Sequence, residues 1–459
     1  MTSTAEFVGE EIVRGILRYA AKDPERNLSR LLSWAERLAV QPNHKENVRA
    51  VRRVLEDPDS NWRRLALTML KETRPNVTER LGVNFFVKAA FFGCPKQLEA
   101  GQRLGVSVPF ALLVDPTSRC NLRCNGCWAG DYSRTDDLEL DLLRRVLAEA
   151  RPLGIHFIVL SGGEPLVRKA DLLTLARENP DMVFHAFTNG TLMDEKFAAA
   201  AAEVGNMVFA FSLEGSRETT DARRGKGVYD KVLHAMDLLR AEGVPFGFSA
   251  TYTRRNVSEL ASDAFIDRMV EKGCRFGWFF TYIPIGADVD LDLMATPTQR
   301  AEMFEAVRRF RQSKPIFLAD FWNDGAASGG CIAGGKRYLH INAAGDVEPC
   351  AFIHHATHNI KDCSLEEALA SPLFRAYQQR QPFQHNLLRP CPLLDNPRAL
   401  PEMVAESGAH QTQLHLAPPA ELAAKLDPYA EEWGRIADRL AGGAQDSPAA
   451  KANSLTTIA

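Results

Sequence analysis

The chain has 459 residues, long enough for a sizeable buried core and more than one domain. Its 55 Lys and Arg against 58 Asp and Glu, a net charge of −3, exclude a polybasic arm for nucleic acid or for an anionic membrane. The opening "MTSTAEFVGEEIVRG" has no basic segment followed by an apolar run, and no stretch of about 18 apolar residues follows, so a cytoplasmic protein without a transmembrane segment is expected.

From Glu6 to Arg103 the rhythm is helical. "EEIVRGILRYAAK", "LSRLLSWAERLAV", "NVRAVRRVLED" and "NWRRLALTMLKE" repeat apolar residues every three or four positions, with Pro, Asn and Asp between them. The Phe-rich "VNFFVKAAFFG" that follows is expected as a buried helix rather than a lid or a membrane contact, because Lys88 alone makes no cationic face. From Val108 short apolar runs alternate with helical stretches. "PFALLVDPT", "IHFIVLSGG", "MVFHAFTNG", "MVFAFSLEG", "VPFGFSATYT" and "RFGWFFTYIP" are expected strands of a parallel sheet covered on both sides. Functional residues then belong at the strands' carboxyl ends.

A helix is expected after Ala295, with Thr296 as cap, Pro297 in its first turn and Gln299 in capping-box position. "CIAGGKRYLHINAAGDVEPC" reads as strand, turn and strand with a cysteine at each end. The expected domains are residues 1–105, helical; 106–314, an α/β core; 315–410, a hairpin-bearing module; and 411–459, a helix and a small, polar, disordered tail.

Nine cysteines in a long chain without a signal peptide point to metal binding, redox chemistry or buried thiols. Three of them, Cys120, Cys124 and Cys127, form C-x3-C-x2-C in "CNLRCNGCWAG". Structural zinc closes its tetrahedron with four protein ligands, and the next cysteine is Cys274. Three thiolates suit a [4Fe–4S] cluster with one iron left open.

This motif, followed by "SGGEP" after the second strand, "TNG" after the third and "FSLEG" after the fourth, resembles the radical S-adenosylmethionine (radical SAM) superfamily. The resemblance implies a partial (β/α)6 TIM-like barrel behind the all-helical segment. It also implies a [4Fe–4S] cluster on Cys120, Cys124 and Cys127, and S-adenosylmethionine held by Gly162, Gly163, Glu164, Thr188, Asn189, Ser212 and Arg224, with Arg223 the neighbouring alternative. Arginine offers the forked donors a carboxylate prefers. The family often places an aromatic residue before the third cysteine; here it is Gly126, with Trp128 following. The implied activity is reductive cleavage of the cofactor to a 5′-deoxyadenosyl radical that takes hydrogen from a substrate, fed by a reductant such as flavodoxin or ferredoxin. No further catalytic residue is assigned.

Cys331, Cys350 and Cys391 resemble the SPASM or twitch extension of that superfamily, a β-hairpin plus helix module for auxiliary iron–sulfur clusters. The reduced cysteine set implies one auxiliary [4Fe–4S] cluster. Cys363, His354, His355, Asp395 or substrate is left as its fourth ligand, and Cys94 and Cys274 are expected to be ordinary buried thiols. The leader reads helical, where peptide-modifying relatives often carry a recognition domain with a β-sheet. A small-molecule or lipid-like substrate, walled by "RFGWFFTYIPIG" and "PIFLADFWNDG", is therefore expected. A SPASM-type peptide maturase and a non-catalytic electron carrier are the alternatives, and nucleic acid is not expected as a partner.

Overall fold

The computed structural model describes residues 4–38, 42–286 and 289–445; the expected disordered tail from 446 onward lies outside the described residues. The leader forms α1 (Thr4–Lys22), α2 (Pro24–Leu38), α3 (Pro42–Glu56), α4 (Asn61–Glu72), α5 (Pro75–Gly82) and α6 (Cys94–Leu104). Prolines at or near the first turn of α2, α3, α5 and α6 punctuate it, as their fixed φ and missing N–H favour.

Between α5 and α6, Val83–Gly93 winds as a π-helix, and here the structure corrects the sequence reading. Lys88 points inward and pairs with Glu6 at 3.1 Å and with Glu10. Burial opposes its charge, yet hydrogen bonds to both carboxylates raise its pKa. Phe85, Phe86 and Phe91 instead stand 39%, 60% and 71% exposed. The i→i+5 bonding of a π-helix widens each turn, so residues three or four apart no longer share a face.

All six expected strands form, alternating with helices: β1 (Ala111–Val114), α7 (Leu140–Ala150), β2 (Phe157–Leu160), α8 (Lys169–Glu178), β3 (Val183–Thr188), α9 (Glu195–Val204), β4 (Met207–Ser212), α10 (Arg217–Arg224), α11 (Val228–Ala241), β5 (Phe246–Tyr252), α12 (Val257–Leu260), α13 (Asp263–Lys272) and β6 (Phe276–Thr281). They pair in parallel in sequence order, as repeated right-handed βα units do. The fold is a partial TIM-like barrel behind a helical leader.

A six-stranded open sheet leaves two unpaired edges, and the chain covers both. After α14 (Pro297–Ser313), β7 (Phe317–Asp320) joins β6, and β8 (Tyr338–Ile341) joins β1 with Leu112 opposite Leu339. β9 (Val347–Glu348) folds back on β8, giving the expected hairpin; Gly345, at φ 96°, makes its turn. The capping box at Thr296 and Gln299 is also present. The terminal helix Pro419–Gln445 packs on α14, where the Arg300 guanidinium lies 4.1 Å from the centre of the Trp433 ring. Among the described residues no helix is long and apolar enough to cross a membrane.

The two faces of the sheet differ. Toward the helices Ile158, Phe184, Phe209, Phe211, Phe248 and Phe279 are fully buried. Their alternates on the concave face, Leu113, Val159, Phe187, Val208, Trp278 and Phe280, are only half-buried. Rings from β3 and β6 meet across this face, His185 with Phe276 at 5.3 Å and Phe187 with Phe280 at 5.9 Å.

Candidate functional site

Cys120, Cys124 and Cys127 lie on the loop leaving the carboxyl end of β1, all half-buried. Backbone amides are aimed at the sulfurs: Leu122 N–H donates to Cys120 Sγ at 3.4 Å, and the Ala129 amide bonds Cys127. Asn189 Nδ2 adds a contact to Cys120 Sγ at 3.9 Å. Burial pushes the Cys120 thiol up to about 11 and raises Cys127 despite Arg223 and Arg224. Loading such thiols with metal therefore has to displace protons.

The "SGGEP" loop is pressed against this one. A Cβ on Gly163 would meet the Arg119 and Ser118 carbonyls at 2.3 and 2.5 Å, and Gly162, at φ 108°, would meet Thr117 O at 2.5 Å. Gly126 also has a positive φ of 63°, and its Cβ would strike the Tyr282 ring at 2.6 Å. The aromatic group expected before the third cysteine is thus supplied from beyond β6.

Glu164 is 1% exposed and already engaged. Its carboxylate accepts from Leu166 N, Thr188 Oγ1 and Asn189 N at 2.9, 2.7 and 2.7 Å, tying the β2 loop to the end of β3. Burial raises its pKa in spite of these donors. Ser212 ends β4 on the concave face in register with Ser249 of β5.

Arg223 and Arg224 share one carboxylate, Glu214, which is fully buried. Arg223 also donates to the Asn125 and Gly126 carbonyls, each at 3.2 Å, and so clamps the cysteine loop to the end of α10. Two guanidiniums on one carboxylate leave a net positive charge beside Cys124 and Cys127. Glu214 is the residue that sequence reasoning missed; its position in "SLEG", before two arginines on one helix turn, is the signal.

Cys331, Cys350 and Cys391 come from three separate segments and meet in an aromatic pocket. Tyr377 OH lies 3.2 Å from Cys331 Sγ, and Tyr338 OH lies 2.7 Å from Cys350 Sγ. Amides again point at sulfur: Phe352 to Cys350 at 3.5 Å, Leu394 to Cys391 at 3.4 Å, and Ala333 to Cys331. Burial pushes all three thiols up, Cys391 to about 12.

Cys363 does the reverse, donating to Asn359 O at 3.2 Å, and Cys94 donates to Ala89 O at 3.7 Å. Asp395 is consumed by a buried pair with Arg300 at 2.5 Å and by the Cys391 amide at 3.0 Å. Cys274 is fully buried. Among the described residues no three His, Cys, Asp or Glu converge on a single metal ion.

A buried polar network joins the two loops. His340 lies between Asp115 at the end of β1, 2.8 Å away, and Glu348 of β9, at 2.6 Å. Tyr132 OH lies 2.9 and 3.0 Å from the Glu348 oxygens and 2.6 Å from His354 Nδ1. Trp128, beside Cys127, stacks on His354 and touches Phe352 at 5.7 Å.

Residues 114–263 match the model described as the radical SAM superfamily, and residues 331–392 match the iron–sulfur cluster-binding SPASM domain. The Fe-coproporphyrin III synthase of Methanosarcina barkeri is 36% identical over 149 residues, 31% of this chain and 37% of its own length. The PqqA peptide cyclase of Methylobacterium nodulans is 28% identical over 304 residues, 59% of this chain and 75% of its own length. Streptococcus suis SuiB bound to S-adenosylmethionine has the same fold, with a TM-score of 0.53 at 16% identity over 62% of this chain and 72% of that one.

Proposed function

The chain belongs to the radical SAM superfamily with a SPASM module, and from that premise we propose that it modifies a peptide by radical hydrogen abstraction. It is an enzyme of that class, and its cofactors are a [4Fe–4S] cluster, S-adenosylmethionine and auxiliary iron–sulfur chemistry. An external reductant is required. Bound at the site, these cofactors supply reductive cleavage to a 5′-deoxyadenosyl radical that takes hydrogen from the substrate.

The residue assignment rests on one observation: Cys120 and Cys127 of the first group, and Cys331, Cys350 and Cys391 of the second, accept backbone N–H bonds at sulfur, whereas Cys363 and Cys94 donate. Hydrogen bonds to sulfur are a means by which proteins tune iron–sulfur ligation. We assign Cys120, Cys124 and Cys127 to the cluster that binds the cofactor. Cys331, Cys350 and Cys391 are assigned to the auxiliary one.

Glu164 acts as a strut that fixes Thr188 and Asn189 beside Cys120. The Gly162–Gly163 backbone, Asn189, Ser212 and Arg224 remain around the loop to hold the cofactor's polar groups. Arg223 holds the loop closed, and the net positive charge of the arginine pair lowers the cost of three thiolates. Half-buried apolar walls keep water from the concave face.

The helical leader favours a small molecule; a peptide is supported by the PqqA peptide cyclase, which matches 59% of the chain, while the coproporphyrin-named relative matches 31% and a heme synthase of Methanosarcina barkeri, 24% identical, matches 57%. A planar or apolar small molecule remains the second reading, because the concave face carries Phe187, Trp278 and Phe280.

Anaerobically reconstituted protein reduced with dithionite is expected to convert S-adenosylmethionine to 5′-deoxyadenosine, and the C120A/C124A/C127A variant is not. Equal yields from the two sink the assignment. Deuterium transfer from labelled peptides or porphyrins into 5′-deoxyadenosine separates the two substrate readings.

A further inference from the structure

We propose that the outer rim of the first cysteine loop, where Arg123 and Lys226 stand unpaired, is the docking surface for an acidic one-electron carrier protein. This surface serves the cofactor site proposed above, on whose assignment it rests, and gives that site its partner.

The loop is two-sided. Along "SRCNLRCNGC" the exposed residues are Arg119, Asn121, Arg123 and Asn125, while Cys120, Leu122 and Cys124 between them are half-buried and Gly126 is buried. The cysteines belong to the covered side of the loop and the basic residues to its outer face. Neighbouring Cα atoms are about 3.8 Å apart, so a protein seated on Arg123 is one residue from Cys124.

The segment after α10 brings a second cation to the same rim. Asn125 N–H donates to Arg223 O at 2.9 Å and Asn125 Nδ2 to Ala222 O at 3.3 Å, which sets the exposed Lys226 beside the loop. Neither Arg123 nor Lys226 has a carboxylate partner among the described residues. Arg119 differs, pairing with Asp137 at 2.6 Å, and Asp136 is tied to Ser118 at that same end. Arg134 adds charge without an acid, donating to the Leu122 carbonyl at 3.2 Å. The acids nearest Lys226 are Glu214, shared by two guanidiniums, and Asp221, whose oxygens accept the Gly227 and Tyr229 amides at 2.7 and 2.9 Å. The rim is thus a positive surface on a chain whose net charge is −3.

Charge of this kind selects the partner. An anionic protein is repelled by the chain as a whole and drawn to this rim, and complementary charge acts on the rate of encounter more than on the tightness of the complex. An electron donor needs that behaviour, since it has to arrive, give one electron and leave. The electron count closes: a carrier's flavin hydroquinone becomes the semiquinone, and the electron is consumed in breaking one carbon–sulfur bond of S-adenosylmethionine, to methionine and the 5′-deoxyadenosyl radical.

The test uses the full-length reconstituted protein with flavodoxin as the probe, and follows association by biolayer interferometry at low ionic strength. Arg123→Glu/Lys226→Glu is expected to slow association about tenfold, and Arg123→Gln/Lys226→Gln, which removes charge without reversing it, about threefold. Arg337→Glu reverses an exposed cation at the opposite end of β1, where Arg337 O accepts the Ala111 amide, and should change the rate less than about twofold. Added salt should bring wild type and variants together, because screening removes what the substitutions remove. Cofactor cleavage driven by flavodoxin hydroquinone should fall in the Glu variant while cleavage driven by excess dithionite holds. An association rate untouched by both double variants, or lowered equally by Arg337→Glu, overturns the docking surface and leaves the cofactor reading standing. A wild-type protein that shows the expected association pattern yet yields no 5′-deoxyadenosine with dithionite sinks the cofactor reading and keeps the surface.

Discussion

The two cysteine groups are built in opposite ways. Cys120, Cys124 and Cys127 share one loop, half-buried and flanked by arginines. Cys331, Cys350 and Cys391 are drawn from distant segments into a pocket lined by Tyr338 and Tyr377. A contiguous loop brings its ligands together by local backbone geometry, whereas a dispersed set depends on the whole module being folded. The arginine pair stands beside the first group, and a single lysine, Lys336, is near Cys331 of the second. The first group is suited to meeting the carboxylate of an exchangeable cofactor, and the second to holding a fixed one.

The largest expected effect breaks that contrast at its root. C331A/C350A/C391A should lose about four irons per chain relative to the wild type while still forming 5′-deoxyadenosine, whereas the first-group variant forms none. Loss of cofactor cleavage in both variants would mean that the groups do not work separately. Iron analysis alongside product analysis makes the distinction.

Much of the contrast is legible in the sequence. The first group announces itself because its ligands are local, and its partner loops follow successive apolar strands. The ends of β1 to β4 can therefore be placed from pattern alone. The edges are less legible: "FLAD" carries no strand signal of its own, and although "YLHI" is expected as the first strand of the hairpin, its pairing with β1 spans more than two hundred residues of chain.

The π-helix is misread because Phe-rich composition and the lack of a cationic face around Lys88 are taken to mean burial, and neither reports the widened turn that leaves Phe86 and Phe91 exposed. Glu214 hides within a recognised motif. Its place before two arginines on one helix turn is the sequence signal, but its burial and its sharing by both guanidiniums are set by the tertiary fold.

A smaller effect concerns the joint between the groups. His340 is buried between Asp115 and Glu348. Burial works against its charge, but the two carboxylates raise its pKa to about 10. Glu348 is held well below the usual carboxylate range: burial opposes its ionisation, but His340 and His354 outweigh it.

A histidine raised above its ordinary value of about 6.5 gives its full stabilisation below that pH and loses it as the pH rises through about 10. Stability should therefore fall by about 3 kcal/mol between pH 7 and 10 from this group, discounting the nominal shift for relaxation. In His340→Asn, urea denaturation across that range should show a flatter alkaline limb. An identical slope would mean that the imidazolium does not bind the two halves together.

The smallest expected effect sharpens the second group's boundary. Cys363 is the nearest thiol in sequence to the cysteine pair of the hairpin, and by proximity alone it would complete four ligands. Its chemistry points elsewhere: its Sγ donates to Asn359 O, and burial raises its pKa among Glu367, Arg145 and Asp362, not among the other thiols. Cys331, Cys350 and Cys391 feel one another instead. Cys363→Ser keeps a donor of similar size, so stability should move by less than about 0.5 kcal/mol and iron content should not change. A loss of auxiliary iron in this variant would place Cys363 inside the group and undo the distinction between sulfurs that accept and sulfurs that donate.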